Sequence, residues 1–485
     1  MHPSSIFLTF LCYTLLLFLV TWITARRATS RTFFIGNKAS PWFVVAYGMI
    51  GASMSGVTFM SIPGWVGATQ FSYMLVVFGY LIGYFVIALV LMPLYYRLNL
   101  TSIYTYLEGR FGFWSYKTGS FYFILSRVVG ASFRMFLVVN VLQVFVFDAW
   151  KIPFWLTVLI FIVLILLYTF KGGIRTIIWT DTIQTTFMLL ALVFSIYFIT
   201  KNLGTGFPAL FHDVFNSSYS KMVFTDWHDR RFLLKQFFSG VFIAIVMTGL
   251  DQEMMQKNLS CRSLKDAQKN MFTFSFIMVF VNFLFLFLGA ILYIFSERTG
   301  LAVPPRTDDL FPTLAINHLG PVAGLIFLIG LISAAYPSAD GALTSLTTSF
   351  SIDFLGINKK PELDEKEKRR TRYKVHFSFA FILLVVIVIF RAINEQAVID
   401  KLFTIAGYTY GPLLGLFAFG LFTRYRPRDR WVPVVAVLSP VICFLLSKYS
   451  VNLFNGYKFG FELLILNGII TFVGLLLIRQ NKQKS

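Results

Sequence analysis

Four ionisable side chains stand inside stretches of this sequence that are otherwise apolar: Arg127, Arg134, Asp181 and Asp340. An ionised group at the centre of a membrane helix costs roughly 2.5–3.5 kcal/mol on insertion scales, so each is a functional candidate unless it can snorkel to an interface. Glu462, Lys448 and Arg391 are near enough to the ends of apolar runs to snorkel. Arg127 and Arg134, in LSRVVGASFRMFLVVN, are seven residues apart and therefore share one helical face with the small residues Gly130 and Ala131. A guanidinium there could hold a substrate carboxylate bidentately, or pair with an acid to hold helices together. Asp181, in KGGIRTIIWTDTIQTT, sits among Thr180, Thr182, Gln184 and Thr185, a carboxylate and hydroxyl set suited to a hard cation. A helix-start residue near the interface is the plain alternative. Asp340 and Pro337 interrupt GLISAAYPSADGALTSLTTSFSIDF, whose Ala, Ser, Thr and Gly residues allow close helix packing and offer further hydroxyls.

A second kind of chemistry belongs to the backbone. The stretch GASMSGVTFMSIPGWVGA carries Gly51, Gly56, Pro63, Gly64 and Gly67, all of which weaken a helix, together with Ser53, Ser55, Thr58 and Ser61. A mid-span break frees carbonyls, which a bilayer tolerates only where they line a cavity or bind something. Transporters built from inverted repeats use broken helices to put carbonyls on sodium and helix ends on substrate. A proline-kinked packing helix is the bland reading of the same residues.

The elements that must position these groups are membrane spans. Of 485 residues, 57% are hydrophobic, 18% aromatic and only 13% charged, which no soluble domain of this size matches. Runs of roughly 20 apolar residues recur throughout, giving an all-α polytopic membrane protein of about thirteen spans: 5–24, 42–68, 71–95, 116–147, 153–170, 176–200, 236–255, 270–296, 321–352, 375–391, 399–422, 432–448 and 459–478. The first run lacks a basic leader and a cleavage site, and its charges (Arg26, Arg27, Arg31, Lys38) follow it, so it reads as a retained span. With the N-terminus outside, the segments facing the cytoplasm hold about 28 of the 42 Lys and Arg and the opposite segments about 12, in keeping with the positive-inside rule and a cytoplasmic C-terminus. The net charge of +20 then reports orientation and anionic lipid; no basic domain supports nucleic-acid binding. Cys12, Cys261 and Cys443 have no metal spacing, the five histidines are scattered, and no hydrolase, P-loop or dinucleotide motif lies on a suitable loop, so the expectation is a transporter and not an enzyme.

YTFKGGIRTIIWTDTIQ, TGLDQEMMQKNLSC, the ninth span ending in SIDFLG, and GYTYGPLLGLF together resemble the sodium:solute symporter family along nearly the whole chain. The resemblance implies a single transporter domain over 1–485 with a LeuT-like 5+5 inverted-repeat core: 5–24 peripheral, 42–200 and 236–422 as the two repeats, and 432–478 as two peripheral spans. It implies sodium as coupling ion, with no organic cofactor, held by the carbonyls of Gly51 and Met54 and by Ala334, Pro337 and Ser338. Two adjacent hydroxyl residues are usual where this chain has Pro337-Ser338. Proline also leaves the Ser333 carbonyl without its helical donor, so the backbone can replace the missing oxygen. A second cation site would use Asp181, with Asp340 and Gly341 in place of serines, and an extra carboxylate there could equally bind a proton. Similarity to sialic-acid carriers implies Ser55, Thr58 and Arg134 or Arg127 on the solute, an anionic organic molecule such as a sugar acid. The expected location is the plasma (inner) membrane of a prokaryote, with solute, sodium and lipid as partners and no obligate protein partner evident. A solute sensor, which would carry an appended signalling domain, and a passive channel, which would show a repeated filter, are the rival classes.

Overall fold

The computed structural model describes residues 3–24, 38–360, 364–393 and 398–480, with 24, 168–175 and 393 described in backbone only. Arg26, Arg27 and Arg31, which carry part of the orientation argument, lie outside the described residues, as does the tail beyond 480. The architecture is all-helical: α1 (Pro3–Thr24), α2 (Trp42–Ser53), α3 (Ile62–Thr69), α4 (Tyr73–Val86), α5 (Phe113–Leu142), α6 (Phe154–Asn202), α7 (Leu233–Ala244), α8 (Gln252–Leu259), α9 (Leu264–Thr299), α10 (Leu310–Asn317), α11 (Pro321–Ser349), α12 (Glu365–Ile393), α13 (Val398–Phe422), α14 (Val432–Lys448) and α15 (Leu463–Leu477). Among the described residues, nine helical stretches are long and apolar enough to cross a membrane, and a bent pair makes a tenth. The shorter apolar helices Trp42–Ser53, Phe154–Leu167 and Leu463–Leu477 correspond to the other expected spans. Length and composition of the described residues therefore do not return thirteen directly, and the break after Ser53 divides the second span that hydropathy reads as one.

Three of those interruptions organise the molecule. The helical run that begins at α2 stops at Ser53, is irregular at Met54 and Ser55, and resumes through a wide turn (Val57–Ser61) into α3. At Gln70, in the left-handed region with φ 55°, the chain turns into α4. The seventh span breaks at Leu250 and Asp251, so that α8 departs by 65° from the helix before it. The break has its own cap: Asp251 accepts from the N–H groups of Glu253 (2.9 Å) and Met254 (3.2 Å), supplying a negative charge to the start of α8.

The 49-residue run α6 would be about 73 Å long if straight. It is not straight. Phe161 packs on Phe10 (ring centroids 6.5 Å) and Phe187 on Tyr13 (5.6 Å), one turn apart on α1, although the two phenylalanines would be about 39 Å apart on a straight helix. The run therefore doubles back into two limbs, as the separate spans 153–170 and 176–200 require.

Small residues let the central helices touch. A Cβ on Gly240 would overlap the carbonyl of Val76, and one on Gly79 the carbonyl of Phe237, so α4 and α7 meet backbone to backbone. Pro337 lies within continuous helix α11, and α1 grips that helix on either side of Ala334: Ser333 donates to Tyr13 (2.7 Å), and Thr14 shares a hydrogen bond with Tyr336 (2.8 Å).

Candidate functional site

The break between α2 and α3 faces a cavity of about 90 Å³. Ser55, Thr58, Arg127 and Arg134 all line it, so residues up to 79 positions apart in sequence share one wall. Ser55 Oγ accepts from the Val57 N–H (3.2 Å), turning the end of the break toward the helix that follows. Ser53 lines it too, and so do Tyr73, Tyr80, Tyr84, Thr248 and Asn282. The last five were not singled out in the sequence, where each is one more aromatic or polar residue in an apolar run. The signal that could have found the tyrosines is their spacing of seven and four, which places them on one face of the third span.

The two arginines have different surroundings. Arg127 is 4% exposed and pairs with Asp251 (3.7 Å) and closely with Glu253, tying α5 to the broken seventh span. Arg134 lines the cavity half-buried, and its Nε–H has no hydrogen-bond partner. A guanidinium held in a polar cavity with an unused donor is arranged to accept an anion.

The cation candidates lie on α2, α11 and the second limb of α6. A Cβ on Gly330 of α11 would meet Phe59 and Ala191, which fixes one contact between α11 and the broken second span. At the other end, Gly48 packs on Asp181, Asp181 is bonded through Lys257 to Glu253, and the Glu253 carboxylate fills the space a Cβ on Gly341 would take. Both helices pack on the second limb of α6, Gly48 and Gly51 against Asp181 and Thr185 and Gly330 against Ala191. The end of α2 leaves the carbonyls of Gly51, Ala52 and Ser53 without helical donors ahead of them, and Pro337 does the same for Ser333. Ser338 Oγ is fully buried and has no hydrogen-bond partner. Freed carbonyls and a buried, unpaired hydroxyl are hard oxygen donors, the kind of group that suits sodium. The Gly51 N–H donates to Thr185 Oγ1 (3.0 Å), anchoring α2 to the second limb of α6.

Asp181 and Asp340 are both fully buried. Asp181 is not in a simple hydroxyl nest: Lys257 Nζ donates to its Oδ2 at 2.7 Å and to Glu253 Oε1 at 3.2 Å. The expectation that residues 256–269 form a cytoplasmic loop thus fails at its start, because Gln256 and Lys257 belong to buried helix α8. Lys257 was counted among loop charges for orientation; it is 1% exposed and part of the interior. Hydropathy hides this, since QEMMQKN is too polar to be read as membrane-embedded.

Above the cavity, Trp65, Tyr73, Phe403 and Phe461 form an aromatic lid, with Trp65–Phe461 centroids at 5.9 Å, Phe403–Phe461 at 4.8 Å and Tyr73–Phe403 at 6.4 Å. Beyond the lid lies an open basin of about 990 Å³ whose wall includes Arg230, Arg306 and Lys458. In that wall Arg231 donates to Asp229 (2.8 Å) and holds its carboxyl below the usual range. A small lidded chamber beneath a wider basin, flanked by two broken helices, is the geometry of a carrier that passes solute stepwise.

Comparison with known proteins agrees. The chain is 24% identical to the sodium/sialic acid symporter NanT of Aliivibrio fischeri over 471 residues (92% of this chain, 88% of the relative). It is also 24% identical to the sodium/sialic acid symporter SiaT of Proteus mirabilis over 451 residues (90% and 88%). Its fold matches that of a substrate-bound, outward-open Na+-coupled sialic acid symporter with a TM-score of 0.83 at 20% identity, covering 97% of each chain. The sequence model of the sodium:solute symporter family matches residues 33–427. The chain is a multi-pass membrane protein of LeuT-like fold and belongs to the sodium:solute symporter family.

Proposed function

We propose that this sodium-coupled symporter carries a small organic solute bearing a carboxylate, seated by Arg134 beside Ser55 and Thr58. The observation that carries this reading is that Arg134, on the cavity wall with a buried, unpartnered Nε–H, makes no ion pair among the described residues, whereas Arg127, whose Nε–H is likewise unpartnered, is ion-paired with Asp251 and Glu253. Names of the relatives support an acidic sugar as one candidate solute. Sodium binds between the carbonyls of Gly51 and Met54 at the end of α2 and the Ala334–Ser338 turn of α11, and its charge there stabilises the arrangement that completes the solute pocket. The helix bundle rocks around that site to alternate access, with 42–200 and 236–422 as the two inverted repeats, the basin facing outside, the N-terminus outside and the C-terminus in the cytoplasm of a cell whose inner membrane holds the protein.

The test is a thermal-shift screen of purified protein against acidic sugars, monocarboxylates and neutral sugars, in sodium and in potassium. Stabilisation by a carboxylated compound in sodium only, lost in Arg134→Ala, is the expected result. A neutral sugar that stabilises the protein while every carboxylate fails would overturn the solute class.

A further inference from the structure

Asp181, the residue expected to hold a second cation, already faces one. We infer that the Lys257 ammonium permanently fills the second-cation seat, so that each transport cycle carries a single sodium. The proposal rests on the sodium-coupled reading above and concerns its stoichiometry.

Three observations support it. Lys257 Nζ lies 2.7 Å from Asp181 Oδ2 and 3.2 Å from Glu253 Oε1, and all three side chains are at most 1% exposed, so the ammonium has the close carboxylate oxygens that an ion would otherwise seek. Asp181, Asp251 and Glu253 are each paired without a second sodium: Lys257 bridges Asp181 and Glu253, Arg127 bridges Glu253 and Asp251, and Tyr410 donates its hydroxyl to Asp251 (3.1 Å). Buried charge is stable when paired, and an added sodium at Asp181 Oδ1 would meet the repulsion of the ammonium across the same carboxylate. Finally, the cation is tethered. Lys257 belongs to α8, the half-helix that leaves the seventh span at 65°, while Asp181 lies on α6; the pair can re-form in every cycle, but its charge cannot be released to the cytoplasm with the solute.

Equilibrium binding of ²²Na⁺ to purified protein counts the sites without needing the solute. Wild type binds one sodium per chain at saturation, and Asp181→Asn/Lys257→Met, which removes both charges together, also binds one. Lys257→Met alone exposes Asp181 and Glu253 and binds two. Two sodium ions on wild type, falling to one in Asp181→Asn, would overturn the inference, as would a Lys257→Met protein that still binds only one. If Lys257→Met does not fold, wild type and the double variant still decide the count. Wild type that binds no sodium at all would instead remove the sodium-coupled reading on which the inference stands.

Discussion

At the scale of single residues, the structure separates two arginines that sequence spacing makes equivalent. Arg134→Ala should weaken carboxylate binding about 10–100-fold in sodium, the value of a charge-assisted bidentate contact, and leave the unliganded melting temperature nearly unchanged. Arg134→Lys should recover only part of the affinity, because an ammonium lacks the planar fork. Arg127→Ala should do the opposite: it leaves the buried Glu253 to Lys257 alone and Asp251 without a cation, and should cost about 3–5 kcal/mol, read as a large drop in the melting temperature without ligand. Ser338→Ala removes one hard oxygen donor, and the sodium half-saturation concentration should rise about tenfold. By linkage the solute affinity at subsaturating sodium must weaken too, and equal solute affinity in both proteins under those conditions would remove Ser338 from the sodium site.

At the scale of elements, the decisive features are interruptions and close approaches. The second span was legible as broken from its glycines and Pro63, and the break falls within that stretch, at Met54 and Ser55. The seventh span was not legible as broken, because the residues that bend it, Leu250 and Asp251, carry no proline and the half-helix beyond is too polar for a hydropathy reading. Close approach is equally hidden in sequence: a glycine in an apolar run does not say which helix it meets. Gly240 meets the Val76 carbonyl, so Gly240→Ala should force α4 and α7 apart and cost about 1–3 kcal/mol or more, measured as a lower melting temperature and a smaller monodisperse fraction in detergent.

At the scale of the whole molecule, Asp308 joins distant parts of the chain beside the basin. It accepts from the Val398 N–H (2.9 Å) at the start of α13, and a Cβ on Gly64 would overlap the neighbouring Thr307 carbonyl. Burial raises its carboxyl from 3.8 to about 6. A raised acid pKa means that the folded state holds the proton more tightly than the unfolded chain. Stability is therefore fully present below about pH 4 and falls as pH rises toward 6, by about 2–3 kcal/mol in all. Asp308→Asn should remove that slope and raise the melting temperature at pH 7.5; an unchanged pH profile would show that Asp308 does not contribute it.

The sequence by itself determined the class: a polytopic helical membrane protein, its broken second span, its small-residue ninth span and four buried charges, because insertion energetics and helix periodicity act within a single segment. It also carried the motifs that the family match bears out. Only the tertiary structure decided which groups meet. Arg127 and Arg134 share a helical face, yet one is held by Asp251 and Glu253 and the other turns to the cavity; Asp181 lies in a hydroxyl-rich run, yet an ammonium from 76 residues away is its nearest cation. Such pairings join different helices, and their energies depend on approaches of a few ångströms that no local pattern of residue types encodes.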